Sequence, residues 1–145
     1  MISSVPPAAI AKGMAALAAT LILVAVLVVA SGNARDTQTV AITIRHSRFI
    51  PAQFAVRRGA TFRFVITNND PIDHEFILGD EAVQRRHEDG TEPEHGHVPG
   101  EVTVHAGMVA ETTYTFSQSG VLLIGCHAPG HYAYGMRGWV TVTPP

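Results

Sequence analysis

The stretch Val121-Leu122-Leu123-Ile124-Gly125-Cys126-His127-Ala128-Pro129-Gly130-His131-Tyr132-Ala133-Tyr134-Gly135-Met136 holds the chain's only cysteine. A histidine and a methionine follow that cysteine at five-residue intervals. The apolar run Val121–Gly125 reads as a strand that delivers Cys126 at its end. Ala128-Pro129-Gly130 then turns the chain back to His131, and Tyr132–Gly135 makes a second reversal to Met136. A thiolate, an imidazole and a thioether are soft or borderline donors that together favour copper, and a second imidazole completes a trigonal His2Cys set with a weak axial Met. The candidate for that imidazole is His74, in Asp73-His74-Glu75-Phe76, approaching from an adjacent loop. A lone cysteine forms no internal disulfide, and metal ligation accounts for a thiol that would otherwise be exposed to oxidation.

Upstream of this stretch the pattern is strand-like. Val40, Ile42 and Ile44 alternate with Ala41, Thr43 and Arg45, the period of a half-buried strand. Pro51 interrupts, and Phe54–Val56 resumes. Thr61–Thr67 alternates again, with Phe62, Phe64 and Ile66 on one face, and Asn68-Asn69-Asp70-Pro71 follows as a turn cluster. Glu75–Leu78, Val102–His105, Val109–Phe116, Val121–Gly125 and Trp139–Val142 read as further strands. There is no repeat and no long amphipathic helix. The expectation is an all-β fold, a Greek-key β-sandwich or barrel of about seven or eight strands.

One segment breaks the pattern. Residues 79–100 form a polar, acidic, His-rich insertion, long for a connection. Glu81–Glu88 has the makings of a short helix. On extended backbone His95 and His97 point to the same side, so with His87 or a nearby carboxylate they make a candidate second metal site. The same composition also suits a solvated acidic loop. His127 is read as an exposed loop histidine or as a residue of copper entry, and His46 and His105 as strand-edge residues.

The chain has 145 residues, room for one domain and a short extra segment. From Gly13 to Ala34 there is no charge, and Met14–Ala30 is almost wholly apolar. This length lies between a secretory core and a full membrane span. Residues 1–34 are therefore read as a signal peptide or an N-terminal membrane anchor, a hydrophobic helix that holds the protein to the membrane through residues 14–30 if it is not cleaved. Residues 35–145 form the folded domain, placed outside the cytoplasm as a secreted or anchored protein. From Arg35 onward, nine arginines against twelve Asp and Glu leave a formal charge of −3, which argues against a nucleic-acid partner.

The Cys126-x4-His131-x4-Met136 spacing resembles that of auracyanin-type and sulfocyanin-type blue copper proteins. Phe49-x-Pro51-x2-Phe54-x-Val56-x2-Gly59 and Phe62-x-Phe64-x-Ile66-x-Asn68 are similar to the N-terminal strands of small single-domain cupredoxins of the plastocyanin/azurin superfamily. The resemblance spans about residues 38–143. It implies one type 1 copper per domain held by His74, Cys126, His131 and Met136. It further implies single-electron transfer between extracytoplasmic redox partners, with no enzymatic turnover. The alternative is a copper carrier or scavenger that delivers copper to a cuproenzyme. Two features depart from the resemblance. Glu75 stands where many blue copper proteins have Asn after the first histidine. Cys126-His127-x3-His131-x4-Met136 is similar to the last copper motif of multicopper oxidases, but those carry a histidine where this chain has Gly125, and they need paired His-x-His motifs from a second domain.

Overall fold

A computed structural model describes residues 37–90 and 95–145. The expected hydrophobic helix and the whole of segment 1–34 lie outside the described residues. No helix among the described residues is long and apolar enough to cross a membrane.

The described chain is all-β apart from one short helix. Its elements are β1 Gln38–Ile44, β2 Phe49–Ile50, β3 Gln53–Arg57, β4 Thr61–Asn68, β5 His74–Gly79, α1 Glu81–Glu88, β6 Glu101–Val104, β7 Val109–Thr115, β8 Gly120–Gly125 and β9 Arg137–Thr143. Two sheets form, in the orders β2-β1-β4-β7 and β3-β9-β8-β5-β6. The β1–β4 and β3–β9 pairs are parallel, so both sheets are mixed.

Alternation drives the packing. Phe62, Phe64, Ile66 and Asn68 of β4 are buried while Arg63 is exposed. Phe64 meets Phe76 of the other sheet at 5.3 Å between ring centroids, and Phe116 and Phe62 pack edge-on at 5.7 Å. Each such buried side chain contributes roughly 1.5–3 kcal/mol. β5 does not alternate: every residue but Glu75 is buried. The reason is α1, which packs on β5 and β8. Gln84 of α1 donates from Nε2 to the carbonyls of Ile77 (3.1 Å) and Leu123 (3.2 Å). The helix starts at Asp80, whose carboxylate accepts from the Val83 N–H (2.9 Å), with Glu81 in its first turn and Arg85, Arg86 and His87 in its last.

The two-residue strand β2 escapes a search for alternation. It exists because β1 turns back tightly: Arg45 N–H donates to Arg48 O (3.0 Å) and Arg48 N–H to Arg45 O (3.2 Å). The central residues His46 and Ser47 both sit in the left-handed region, with φ of 53° and 52°. A hairpin with two such residues usually uses Asn and Gly. Here both N–H groups end on the Asp70 carboxylate, at 2.7 and 2.8 Å.

Candidate metal centre

β5 and the loop between β8 and β9 supply the candidate ligands. His74 is the first residue of β5, paired in register with Val104, rather than a loop residue as the sequence suggested. Cys126 follows β8 directly. His131 and Met136 lie on the loop between β8 and β9. That loop closes on itself: Cys126 N–H donates to Met136 O (3.2 Å), Met136 N–H to His131 O (2.9 Å), and His131 N–H to Ala128 O (2.9 Å). Its two reversals place Gly130 and Gly135 at φ of 81° and 91°, which side chains with a Cβ rarely adopt. Three backbone bonds thus fix the relative positions of Cys126, His131 and Met136 before any ligand binds.

The donor atoms meet. His74 Nδ1 and His131 Nδ1 are 3.2 Å apart, and Cys126 Sγ lies 3.3 Å from His131 Nδ1 and 3.8 Å from His74 Nδ1. His74, Cys126 and Met136 are fully buried, and His131 is half-buried. Asp70 sets the tautomer of His74. Its carboxylate lies 3.0 Å from Nε2 and can only accept there, so Nε2 carries the proton and Nδ1 presents its lone pair to the cluster. Burial alone would raise the Asp70 pKa, but the N–H donors of Ser47 and His46 and the bond to His74 outweigh it, and the net shift is downward. Asn68 steadies this loop, accepting from Asp70 N–H (3.0 Å) and donating to Ile72 O (2.8 Å) and Val104 O (2.9 Å). Asp70 and Asn68 were hidden in what the sequence shows only as a turn cluster.

The electrostatics suit a soft cation. Burial pushes the Cys126 thiol up to about 11, against the N–H groups of Glu75 and Ala128, which favour the thiolate. Glu75 N–H reaches Sγ at 3.3 Å. Without a cation the sulfur stays protonated at neutral pH; a bound metal ion reverses that balance. Burial, then the neighbouring His74, holds His131 below the usual histidine range, so its imidazole is neutral and able to ligate. A thiol and two imidazoles with converging donor atoms, beside a buried methionine, fit copper.

The cupredoxin-like domain family matches residues 17–134. The chain belongs to the cupredoxin-like family. Among curated proteins it is similar to the copper-resistant cuproprotein CopI of Rubrivivax gelatinosus, at 40% identity over 113 residues, covering 75% of this chain and 68% of that one. It is also similar to CopI of Pseudomonas aeruginosa, at 29% identity over 143 residues, covering 77% of this chain and 79% of that one. Among solved structures it shares its fold with auracyanin A, a "blue" copper protein of Chloroflexus aurantiacus. The TM-score is 0.61 at 21% identity, covering 74% of this chain and all of that one. Copper is therefore the metal of this cupredoxin.

The cupredoxin also gathers histidines in its insertion. His87, on α1, and His95 are brought together with Glu101 of β6. His97 is not part of this group. The chain bends at His97–Val98, so the extended backbone assumed for His95-x-His97 does not hold, and His97 is exposed beside a different cavity with Arg63 and Glu111. His127 is not an exposed loop residue either: its side chain is 3% exposed and stacks on Tyr132 at 4.6 Å. Burial, then the nearby His87 and His95, lowers its pKa to about 4, so it is neutral at physiological pH. The sequence clue to His127 was its place directly after Cys126.

Proposed function

We propose that this cupredoxin carries single electrons between extracytoplasmic redox partners through one type 1 copper held by His74, Cys126, His131 and Met136. The observation that carries this reading is the convergence of three donor atoms within 3.8 Å of one another on a backbone already closed by hydrogen bonds. Copper bound there supplies a one-electron Cu(I)/Cu(II) couple. The chain's part is to keep the ligands from moving between oxidation states. Asp70 orients His74, the loop bonds fix His131, and burial excludes water. Around half-buried His131 the loop exposes Pro129, Gly130, Ala133 and Tyr134, none of them charged, and partners dock there. The acidic insertion steers basic partners toward it.

The similarity to copper-resistance cuproproteins supports a second reading, copper carriage to an acceptor. One experiment separates the two. The copper-loaded domain is cycled with a chemical reductant and oxidant, then mixed with an excess of an apo copper acceptor. Repeated cycling with copper retained supports electron transfer; rapid loss of copper to the acceptor in the reduced state refutes it in favour of carriage. A charge at the docking face adds a check. Pro129→Lys slows electron exchange with a basic partner by about tenfold while the absorption spectrum stays unchanged. Equal rates with every acceptor tested contradict this face.

A further inference from the structure

The histidine group around α1 has the construction of a second metal site, and its hydrogen bonds show why. His87 Nδ1 lies 2.8 Å from Val83 O, which can only accept, so Nδ1 carries the proton. The lone pair on His87 Nε2 then faces Glu101 Oε2 at 3.1 Å. Two acceptors at that distance need a cation or a proton between them. Glu101 is nearly fully buried, and its other oxygen takes Arg86 Nη2 at 3.1 Å, so Oε2 is the atom left for the histidines. His95 Nδ1 lies 3.7 Å from the same Oε2, while its Nε2 faces Glu75 Oε1 at 3.5 Å.

His127 adds an independent observation. Gln84 spends both amide N–H groups on Ile77 O and Leu123 O, so its Oε1, 2.8 Å from His127 Nε2, accepts there. The proton of His127 is therefore on Nε2, and Nδ1 holds a lone pair. That Nδ1 is buried and has no hydrogen-bond partner. Its ring lies 5.8 Å from that of His87, and the two line a cavity of about 220 Å³ with Glu88 and Tyr132. Gly125 permits this arrangement. A Cβ there would lie 2.5 Å from Gln84 Oε1 and 2.8 Å from the Tyr132 ring. Donor atoms of His87, His95 and Glu101 all lie within 4.8 Å of one another, and His127 Nδ1 faces Glu88 Oε2 at 3.8 Å beside them. Val83 O and Gln84 Oε1 fix which nitrogen of His87 and His127 carries the proton, the way metal-binding histidines are oriented by their outer partners.

We propose that His87, His95, His127 and Glu101 form a second metal site for a divalent cation of the Cu(II) or Zn(II) class, coupled to the first site. Three imidazoles and a carboxylate are borderline-to-hard donors with no sulfur, which suits these ions and not Cu(I). Two links join the sites. Cys126 and His127 are consecutive residues. Glu75 donates its N–H to Cys126 Sγ, accepts from His127 N–H at 3.0 Å on Oε2, and faces His95 with Oε1. The departure at Glu75 is thereby explained: a carboxylate spans the two sites where an amide could not accept on both arms.

The test uses the protein carrying one equivalent of copper, titrated with Zn(II), which is colourless and does not change oxidation state. Calorimetry and metal analysis after dialysis count the zinc. About one equivalent of Zn(II) is expected, with the visible band of the first site keeping its intensity. His87→Ala and His127→Ala each weaken Zn(II) at least tenfold, and His97→Ala leaves it unchanged. The visible band reports folding in every variant, and His87→Ala on α1 decides the matter if the neighbour of Cys126 cannot be replaced. A repeat with Cu(II) separates the two ions, with Cu(II) expected to bind more tightly. No zinc uptake by the native protein overturns the proposal, leaving a proton between His87 and Glu101. So does uptake undiminished in His87→Ala, or lost with His97. This outcome is separable from the fate of the electron-transfer reading: a missing visible band condemns the first site, and an intact band without zinc condemns only the second.

Discussion

Replacing Asp70 by Asn keeps its shape but turns one acceptor oxygen into an N–H donor aimed at donors. Three bonds are at stake: His46 N–H at 2.7 Å, Ser47 N–H at 2.8 Å and His74 Nε2–H at 3.0 Å. Bonds to a charged group are worth about 1.5–3 kcal/mol when the partner is left buried and unsatisfied. His74 is fully buried and loses about 2 kcal/mol. The turn residues are exposed or half-buried, so water replaces most of their loss, about 0.5 kcal/mol each. The total is about 3 kcal/mol, and at about 4 °C per kcal/mol the apo protein melts about 12 °C lower. The measurement is made metal-free, because a tight ligand would add its own binding energy to the native state. Copper affinity, read by competition with a chelator, falls 10–100-fold because His74 loses the partner that fixes its tautomer. An Asp70→Asn protein with native melting temperature and copper affinity refutes the idea that Asp70 couples the β1–β2 turn to the metal centre.

Met136→Gln retains copper and lowers the reduction potential, because a harder oxygen donor stabilises Cu(II) relative to Cu(I); voltammetry showing an unchanged potential removes Met136 from the site. Asp73 accepts from His105 Nδ1 (3.0 Å) and Ala106 N–H (2.8 Å), and the His105 bond, then the Ala106 bond, lowers its pKa. Its contribution to stability is therefore present above the unfolded value of about 3.9 and is lost as pH falls through the lower folded value. Melting curves of native and Asp73→Asn proteins should differ at neutral pH, with the gap closing only as pH falls from about 4 through the lower folded value; a constant gap across that range contradicts the assignment.

The strands were readable where burial follows the period of two, as in Phe62, Phe64 and Ile66, because the side chains themselves carry the signal. Cys126, His131 and Met136 were readable for a related reason: the loop that joins them is local, and its spacing is its geometry. What stayed hidden was non-local. β2 depends on a left-handed turn at His46–Ser47 pinned by Asp70, more than twenty residues away. β5 was legible from Glu75 to Leu78 but begins one residue earlier, where His74 pairs with Val104 of β6, so His74 looked like a loop residue. His97 was paired with His95 on the assumption of extended backbone. In the fold, His95 instead joins Thr103, donating its N–H to Oγ1 at 2.8 Å and accepting from the Thr103 N–H at 3.1 Å. That pairing brings Glu101, not His97, to the histidines. No spacing rule relates Glu101 to His127.

The central claim, that Cys126 with His74 and His131 holds a type 1 copper, is tested most directly by the visible absorption of the copper-loaded protein and of its Cys126→Ala variant. No other cysteine exists to replace the thiolate. The native protein should show one intense sulfur-to-copper charge-transfer band per copper, and the variant should show none while keeping its β-sheet circular dichroism. A band of undiminished intensity in Cys126→Ala, or its absence from the native protein with copper bound, would contradict the account.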